Sequence, residues 1–489
     1  MTTATIRESL AARSRALGRL IPPFHSALTA IVAAGLLAAG AWGILNIRNP
    51  KYIGALIVMG LAGGGFLALP KKFNFFLYAA GFTMPYFVEV ILLQRDRATL
   101  VVTGTSLVIT ILAIVGVATG VLDRSRIALE PRITVPALVF ICACLLSIVN
   151  TSDRTLSLVS TLQELEMLLI FLVLVNATKD ETHAIVFLRG LYLGFAIQCV
   201  IYVIQNALGI SFDILGNRQY TGATDLETGQ IGSQRGTFAN APATAALYFS
   251  LMTLTLTGLH LSTEKLSIRM MPLMGMMMGL GCLVLSAKRA PMMGFALALG
   301  TMMALLPRHA PGALRKLLPV LGTLTLAFLI CLPVFLLRAG ANHEAALEER
   351  VNLTRVAWNM YHAHPVLGVG FGTYDSVKRM YLPLDWSGWL YTVHSRYLLI
   401  LAETGMVGFA SLILVYLMVF RAAYLGIRRI GPAWRPLQVS LVAGLVAIYW
   451  EQLWDIFNSR QQGYLFWFIA AMAVALPRAL PAGLIREKA

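Results

Sequence analysis

Charge is what this chain has least of. Asp, Glu, Lys and Arg make up 13% of its 489 residues, about half the share carried by a typical soluble domain, while 58% of the residues are hydrophobic. That ratio excludes an ordinary water-soluble enzyme. Acid is scarcer than base, with 23 acidic residues against 39 Lys and Arg and a formal net charge of +16. A nucleic-acid partner is excluded as the reason, because no basic module with interleaved aromatics accompanies the surplus. In a membrane chain such a surplus marks loops facing anionic lipid and any site for anionic ligands. The five cysteines, Cys142, Cys144, Cys199, Cys282 and Cys331, all sit in apolar runs without metal-ligand spacing. They read as small hydrophobes and say nothing of redox compartment. Asp-x-Asp, a common metal-holding pair, is absent, and so is any fixed-period repeat.

What the chain has in abundance is apolar runs long enough for a hydrocarbon core of roughly 30 Å, and its mean hydropathy is +0.73. The expected fold is all-α and polytopic. Spans are expected near 27–46, 52–70, 73–94, 99–122, 133–149, 155–176 and 183–208, then near 239–260, 268–287, 290–307, 315–337, 396–420, 436–455 and 461–478. That makes fourteen, with a margin of about two and a working range of about 12–14. Residues 1–26 form a basic cytoplasmic arm, 27–208 the N-terminal helices, 209–238 a periplasmic loop and 239–337 further helices. Residues 338–395 form a large periplasmic loop, 396–478 the C-terminal helices and 479–489 a cytoplasmic tail. The orientation rests on the basic residues of short connections such as Lys71/Lys72, Arg308/Arg315/Lys316 and Arg421/Arg428/Arg435, which favour the cytoplasmic side. Arg48/Lys51 and Arg95/Arg97 break the rule.

Under that topology three polar segments, distant in sequence, meet on the outer face: Gln234-Arg235-Gly236-Thr237-Phe238-Ala239-Asn240, Ser286-Ala287-Lys288-Arg289, and His394-Ser395. Arginine at a membrane boundary suits phosphate oxygens, because its planar fork makes paired, charge-assisted hydrogen bonds. Arg235 and Arg289 with Lys288 suit a lipid diphosphate. A neutral histidine beside them takes the proton of an incoming hydroxyl as a glycosyl–phosphate bond breaks. Cationic side chains then carry the leaving charge with no metal or other cofactor required.

These residues resemble the O-antigen ligase and O-antigen polymerase superfamily of bacterial inner-membrane glycosyltransferases. His394-Ser395, nine residues, then Gly405-Met406-Val407-Gly408 is similar to the ligase pattern of His, then Asn, Ser or Gln, nine residues, Gly, two residues and Gly, Thr or Tyr. Arg355-Val356-Ala357-Trp358, one residue shorter, and Pro365-Val366-Leu367-Gly368-Val369-Gly370 resemble the family's Arg-x-x-x-Trp and Pro-x-x-Gly-x-Gly segments. The likeness is best over 231–420; residues 1–180 match only as apolar spans. The resemblance implies a GT-C-like fold and an undecaprenyl-diphosphate-linked glycan as donor. It also implies a lipid A–core sugar or another glycan as acceptor, membrane lipid around the chain and an active site facing the periplasm. It makes His394 the base and Arg235 and Arg289 the diphosphate clamp. Ser395 and Lys288 stand where many members have asparagine and serine.

Other residues stay open between roles. Arg355, Ser395, Tyr397, Trp358 and Glu403 are candidates for supporting the site, Tyr397 and Trp358 as a sugar-stacking face. Arg289 alternatively anchors a span by snorkelling, and His394 alternatively caps a helix. His362-Ala363-His364 lacks a third metal ligand nearby, and Gly368-x-Gly370-x-Gly372 reads as turn geometry rather than a phosphate loop. Gln163, Glu164 and Glu166 lie at membrane depth, where carboxylates can relay protons; a membrane transporter is therefore the distant alternative to a ligase or polymerase.

Overall fold

The structure, a computed structural model, describes residues 72–86, 89–95, 98–123, 127–208, 237–238, 242–262, 266–339, 343–383, 386, 390–457 and 459–481. Arg235, the expected spans at 27–46 and 52–70, the 1–26 arm and nearly all of the 479–489 tail lie outside them. Contacts divide the chain into one unit of residues 1–77 with 110–127 and another of 78–109 with 128–489. Within the first, Phe73 and Leu122 close around Gly116.

The expected spans at 73–94 and 99–122 are corrected. Helix α1 (Lys72–Thr83) stops early, strands β1 (Glu89–Arg95) and β2 (Ala98–Thr103) form an antiparallel hairpin, and α2 (Gly104–Ala118) follows. The apolar average over these windows concealed two Val-, Ile-, Leu- and Thr-rich segments on either side of Arg95-Asp96-Arg97. β-Branched residues favour strands, and three consecutive charged residues are costly in membrane interior. At the end of the hairpin the Thr103 and Ser106 hydroxyls lie 2.7 and 2.9 Å from Tyr464 Oη.

The later windows are helical: α3 (Pro131–Ser147), α4 (Arg154–Ala177), α5 (Glu181–Leu208), α6 (Pro242–Ser262), α7 (Leu266–Leu285), α8 (Arg289–His309) and α9 (Pro311–Ala339). After α10 (His343–Ala363) and the short α11 (Tyr374–Val377) come α12 (Arg396–Arg429), α13 (Arg435–Trp454) and α14 (Arg460–Ala479). Among the described residues six helices are long and apolar enough to cross a membrane, α3 (extended to Asn150), α4, α5, α6, α8 and α12. The chain is a mostly α-helical, multi-pass membrane protein. Helices α13 and α14 are 20 residues each and almost entirely buried. They run between the same two ends as α12, because the chain leaves α12 at one end and enters α14 at the other. Exposed Val135, Leu138, Val139, Leu158, Leu162 and Leu169 on α3 and α4 are the surface expected against lipid.

Within the expected loop 338–395, α10 turns Val356 and Met360 inward, one helical turn apart. They pack with Val369, Tyr374, Val393 and Leu399 in one buried cluster. Burial of these apolar side chains holds α10 and the start of α12 together.

Helix α12 is broken at Gly405 (φ 63°, ψ −164°). The segment after α10 lies against the break: Val369 and Gly370 donate to the Ala402 and Glu403 carbonyls at 3.0 Å, and Met406 N–H donates to Pro365 at 2.9 Å. A Cβ on Gly405 would stand 2.3 Å from Val366 backbone, and one on Gly368 would stand 2.2 Å from Glu403 backbone. The two glycine-bearing motifs are thus two sides of one backbone crossing. It fixes where α12 starts, and so where His394 sits.

Candidate active site

His394 is half-buried, between buried Val393 and Ser395, which is the N-cap residue of α12. Two residues on, Arg396 N–H donates to the Asp455 carbonyl at 3.1 Å. Asp455 caps the C-terminus of α13, and its carboxylate accepts from Gln462 Nε2 at 2.6 Å and from Ile456 N–H at 2.9 Å. The entrance to α12 is therefore tied to the α13–α14 connection.

On the α8 side of that tie lies Lys288, the residue before α8, whose charged neighbours are Asp455, Arg350 and Glu451. Burial holds its ammonium below the usual lysine range, Arg350 lowers it further, and Asp455 and Glu451 raise it. Arg289, the first residue of α8, is exposed. Its predecessor turn is strained, with Ala287 at φ 52°, a left-handed conformation unfavourable for a residue with Cβ. Glu451 on α13 is fully buried, and neither carboxylate oxygen has a hydrogen-bond partner among the described residues. Sequence reasoning missed Arg350, Glu451 and Asp455. A lone glutamate near the end of an otherwise apolar run was the available signal for Glu451.

On the opposite side the Arg396 guanidinium, itself buried, donates to Glu164 of α4 at 2.7 Å and lies over the Phe371 ring. Glu166 pairs with Arg460 at 3.6 Å and accepts from Tyr464 Oη at 3.1 Å. The two carboxylates singled out at membrane depth thus have cationic partners, which removes the motive for a proton relay.

The structure brings Lys288, Arg289 and His394 to one end of the bundle. Arg235 lies outside the described residues. Its neighbour Thr237 donates to the Pro85 carbonyl at 2.6 Å and to Gln198 Oε1 at 2.7 Å. Tyr397 is corrected as a stacking face: its hydroxyl donates to the Tyr449 carbonyl at 3.2 Å and its ring packs edge-on against Tyr416, inside the bundle. Glu403, 3% exposed, accepts from Tyr374 N–H at 3.0 Å and from Gly372 N–H; it fastens the inserted segment to α12. Arg355 and Trp358 are exposed on the outer face of α10, where Trp358 packs against Tyr361 and His362. His364 faces Tyr381 instead. Among the described residues no three His, Cys, Asp or Glu side chains gather as a metal-ligand set.

A multi-pass helical membrane protein with a histidine and several cations gathered at one end of its bundle is the class that fold and site define. Residues 274–413 match the family model described as O-antigen ligase. Over that stretch the chain is similar to O-antigen ligases. The matched stretch runs from α7 into α12 and includes Lys288, Arg289, Arg355 and His394, but neither Arg235 nor Glu451. No curated protein matches the chain.

Proposed function

We propose that this protein moves a glycan from undecaprenyl diphosphate to a hydroxyl of lipid A–core at the periplasmic face of the bacterial inner membrane. The observation that supports the reading is that the chain near His394 and near Lys288, both within the stretch matched to the O-antigen ligase family, approaches the same Asp455. The acceptor oxygen attacks the anomeric carbon from the face opposite the diphosphate, so the configuration inverts. Its proton passes to His394 as the carbon–oxygen bond forms and the bond to phosphate breaks. Arg235, Arg289 and Lys288 hold the diphosphate and take up the charge it gains on leaving, with no metal called for. A polymerase that transfers the chain to a lipid-linked repeat unit uses the same machinery, and the tilt to the ligase comes from the His-Ser-x9-Gly spacing.

The test is a gel-resolved transfer assay. Purified protein receives a polymeric undecaprenyl-diphosphate glycan with lipid A–core and, separately, a single-repeat lipid-linked donor. Glycan on lipid A–core is the expected product; a lengthening lipid-linked ladder makes it a polymerase. His394→Ala should lower turnover by about 10² to 10⁴ and leave donor binding intact. Full turnover in that variant removes the assignment of the base.

A further inference from the structure

At the end of the bundle away from His394, three helices bring arginines to one place. Arg308 stands in the last turn of α8, Arg428 in the last turn of α12, and Arg435 opens α13. His309 lies among them: the charged groups that act on it are these three arginines, with no carboxylate. Arg435 reaches across to α8, where its Nη1 donates to the His309 carbonyl at 3.3 Å. The His309 ring in turn stands edge-on to Tyr424 of α12, with centroids 6.0 Å apart. Among the described residues none of the three guanidiniums has an ion pair, and the buried Arg435 Nε and His309 Nε2 have no hydrogen-bond partner.

Helix ends do not balance this charge. A helix C-terminus carries about half a negative charge and an N-terminus about half a positive one. The ends of α8 and α12 therefore offset about one of the three charges, and the start of α13 adds about half back. Simple snorkelling does not describe the arrangement either, since a snorkelling arginine sends its head to water, whereas Arg435 turns its head to α8. Like charges held together by three helices repel unless an anion lies between them.

Depth decides which anion. Both α8 and α12 are long and apolar enough to cross a membrane, so their last turns lie at the level of the lipid headgroups. Phospholipid phosphate is the anion concentrated there, and a guanidinium grips phosphate oxygens in paired hydrogen bonds. About two turns further in, Met303 on α8 and Leu417 on α12 are half exposed and offer acyl chains an apolar wall.

We propose that Arg308, Arg428 and Arg435 form a binding site for the headgroup phosphate of an anionic phospholipid, which ties the ends of α8, α12 and α13 together. The site stands apart from the glycan-transfer reading, because it lies at the opposite end of the bundle from His394.

The test uses the full-length chain, stripped of lipid in a neutral detergent. It is mixed with phosphatidylglycerol, with phosphatidylcholine or with sodium phosphate at a matched phosphate concentration. Phosphatidylglycerol should raise the melting temperature by at least about 3 °C more than phosphatidylcholine does, and native mass spectrometry should count more of it retained. Arg308→Gln and Arg428→Gln change exposed positions, where substitution leaves the fold intact. Each should lose at least about half of the lipid difference. Arg154→Gln, an exposed position at the start of α4 on the His394 side, should keep it. A shift equal for the two lipids, one that survives in either cluster variant, or one lost in Arg154→Gln as well overturns the site. Sodium phosphate reproducing the full shift makes the ligand free phosphate and overturns the lipid assignment.

Discussion

Lys288 sits between opposed influences. Burial and Arg350 push its proton off, while Asp455 and Glu451 hold it on, and the net direction is below an ordinary lysine. The folded amine therefore binds fewer protons than the unfolded one on the alkaline side, so this group's titration favours folding as pH rises. Its effect on an anionic donor has the opposite sign, since the cation that attracts diphosphate is lost over the same interval. Donor KM should accordingly climb as pH rises toward the ordinary lysine range, and Lys288→Arg should flatten that climb because a guanidinium keeps its proton. The same climb in both proteins would take Lys288 out of the donor site. At this scale the sequence showed less than the structure. Lys288, Arg289 and His394 stand out by type and spacing, whereas Glu451 and Asp455 carry no motif. They matter only because α13 ends where α12 begins, and that is a fact of packing.

Among the elements, α12 depends most on a single backbone position. Its break at Gly405 admits the 365–370 segment, whose amides and carbonyls pair with helix backbone left open there. Gly405→Ala meets two costs, a left-handed φ worth about 1–2 kcal/mol and a Cβ placed 2.3 Å from Val366 backbone. A lower melting temperature and a loss of glycan transfer are expected together, the latter because α12 carries His394. An alanine variant with wild-type melting and activity would show that the crossing is not required. The spacing of the two glycine motifs was legible in the sequence; their contact was not, since nothing in a helical repeat announces where a second segment lies against it. The hairpin at 89–103 was misread for a related reason, in that hydropathy measures preference for apolar surroundings and is indifferent to backbone conformation.

Across the larger unit, both ends carry base. The end with His394 holds Glu164, Glu166, Asp375, Glu403, Glu451 and Asp455 beside its cations, with Arg396, Arg460 and Lys378 in ion pairs. The other end holds Arg308, Arg315, Lys316, Arg428, Arg429 and Arg435, with Arg478 paired to Glu130. Lys and Arg of short connections favour the cytoplasmic side, and the proposed topology puts this end there and the His394 end outward. In a cysteine-replaced background, Trp358→Cys should react with a membrane-impermeant thiol reagent applied to cells whose outer membrane is opened, and Arg315→Cys should not. The reverse pattern would turn the molecule over and move the chemistry to the cytoplasm.

The large loop is fastened to the bundle by the 365–370 crossing on α12, by the Gly372 and Tyr374 bonds to Glu403, and by the Arg396–Asp455 bond beside His394. The chain between Val377 and Val393, both in the buried cluster, is the part whose length can change with least effect on those anchors. Doubling a flexible stretch there costs only about 0.6 kcal/mol in closure entropy. Under the proposed function this stretch is where glycan preference can change while the histidine keeps its place, and grafting it between related proteins tests that.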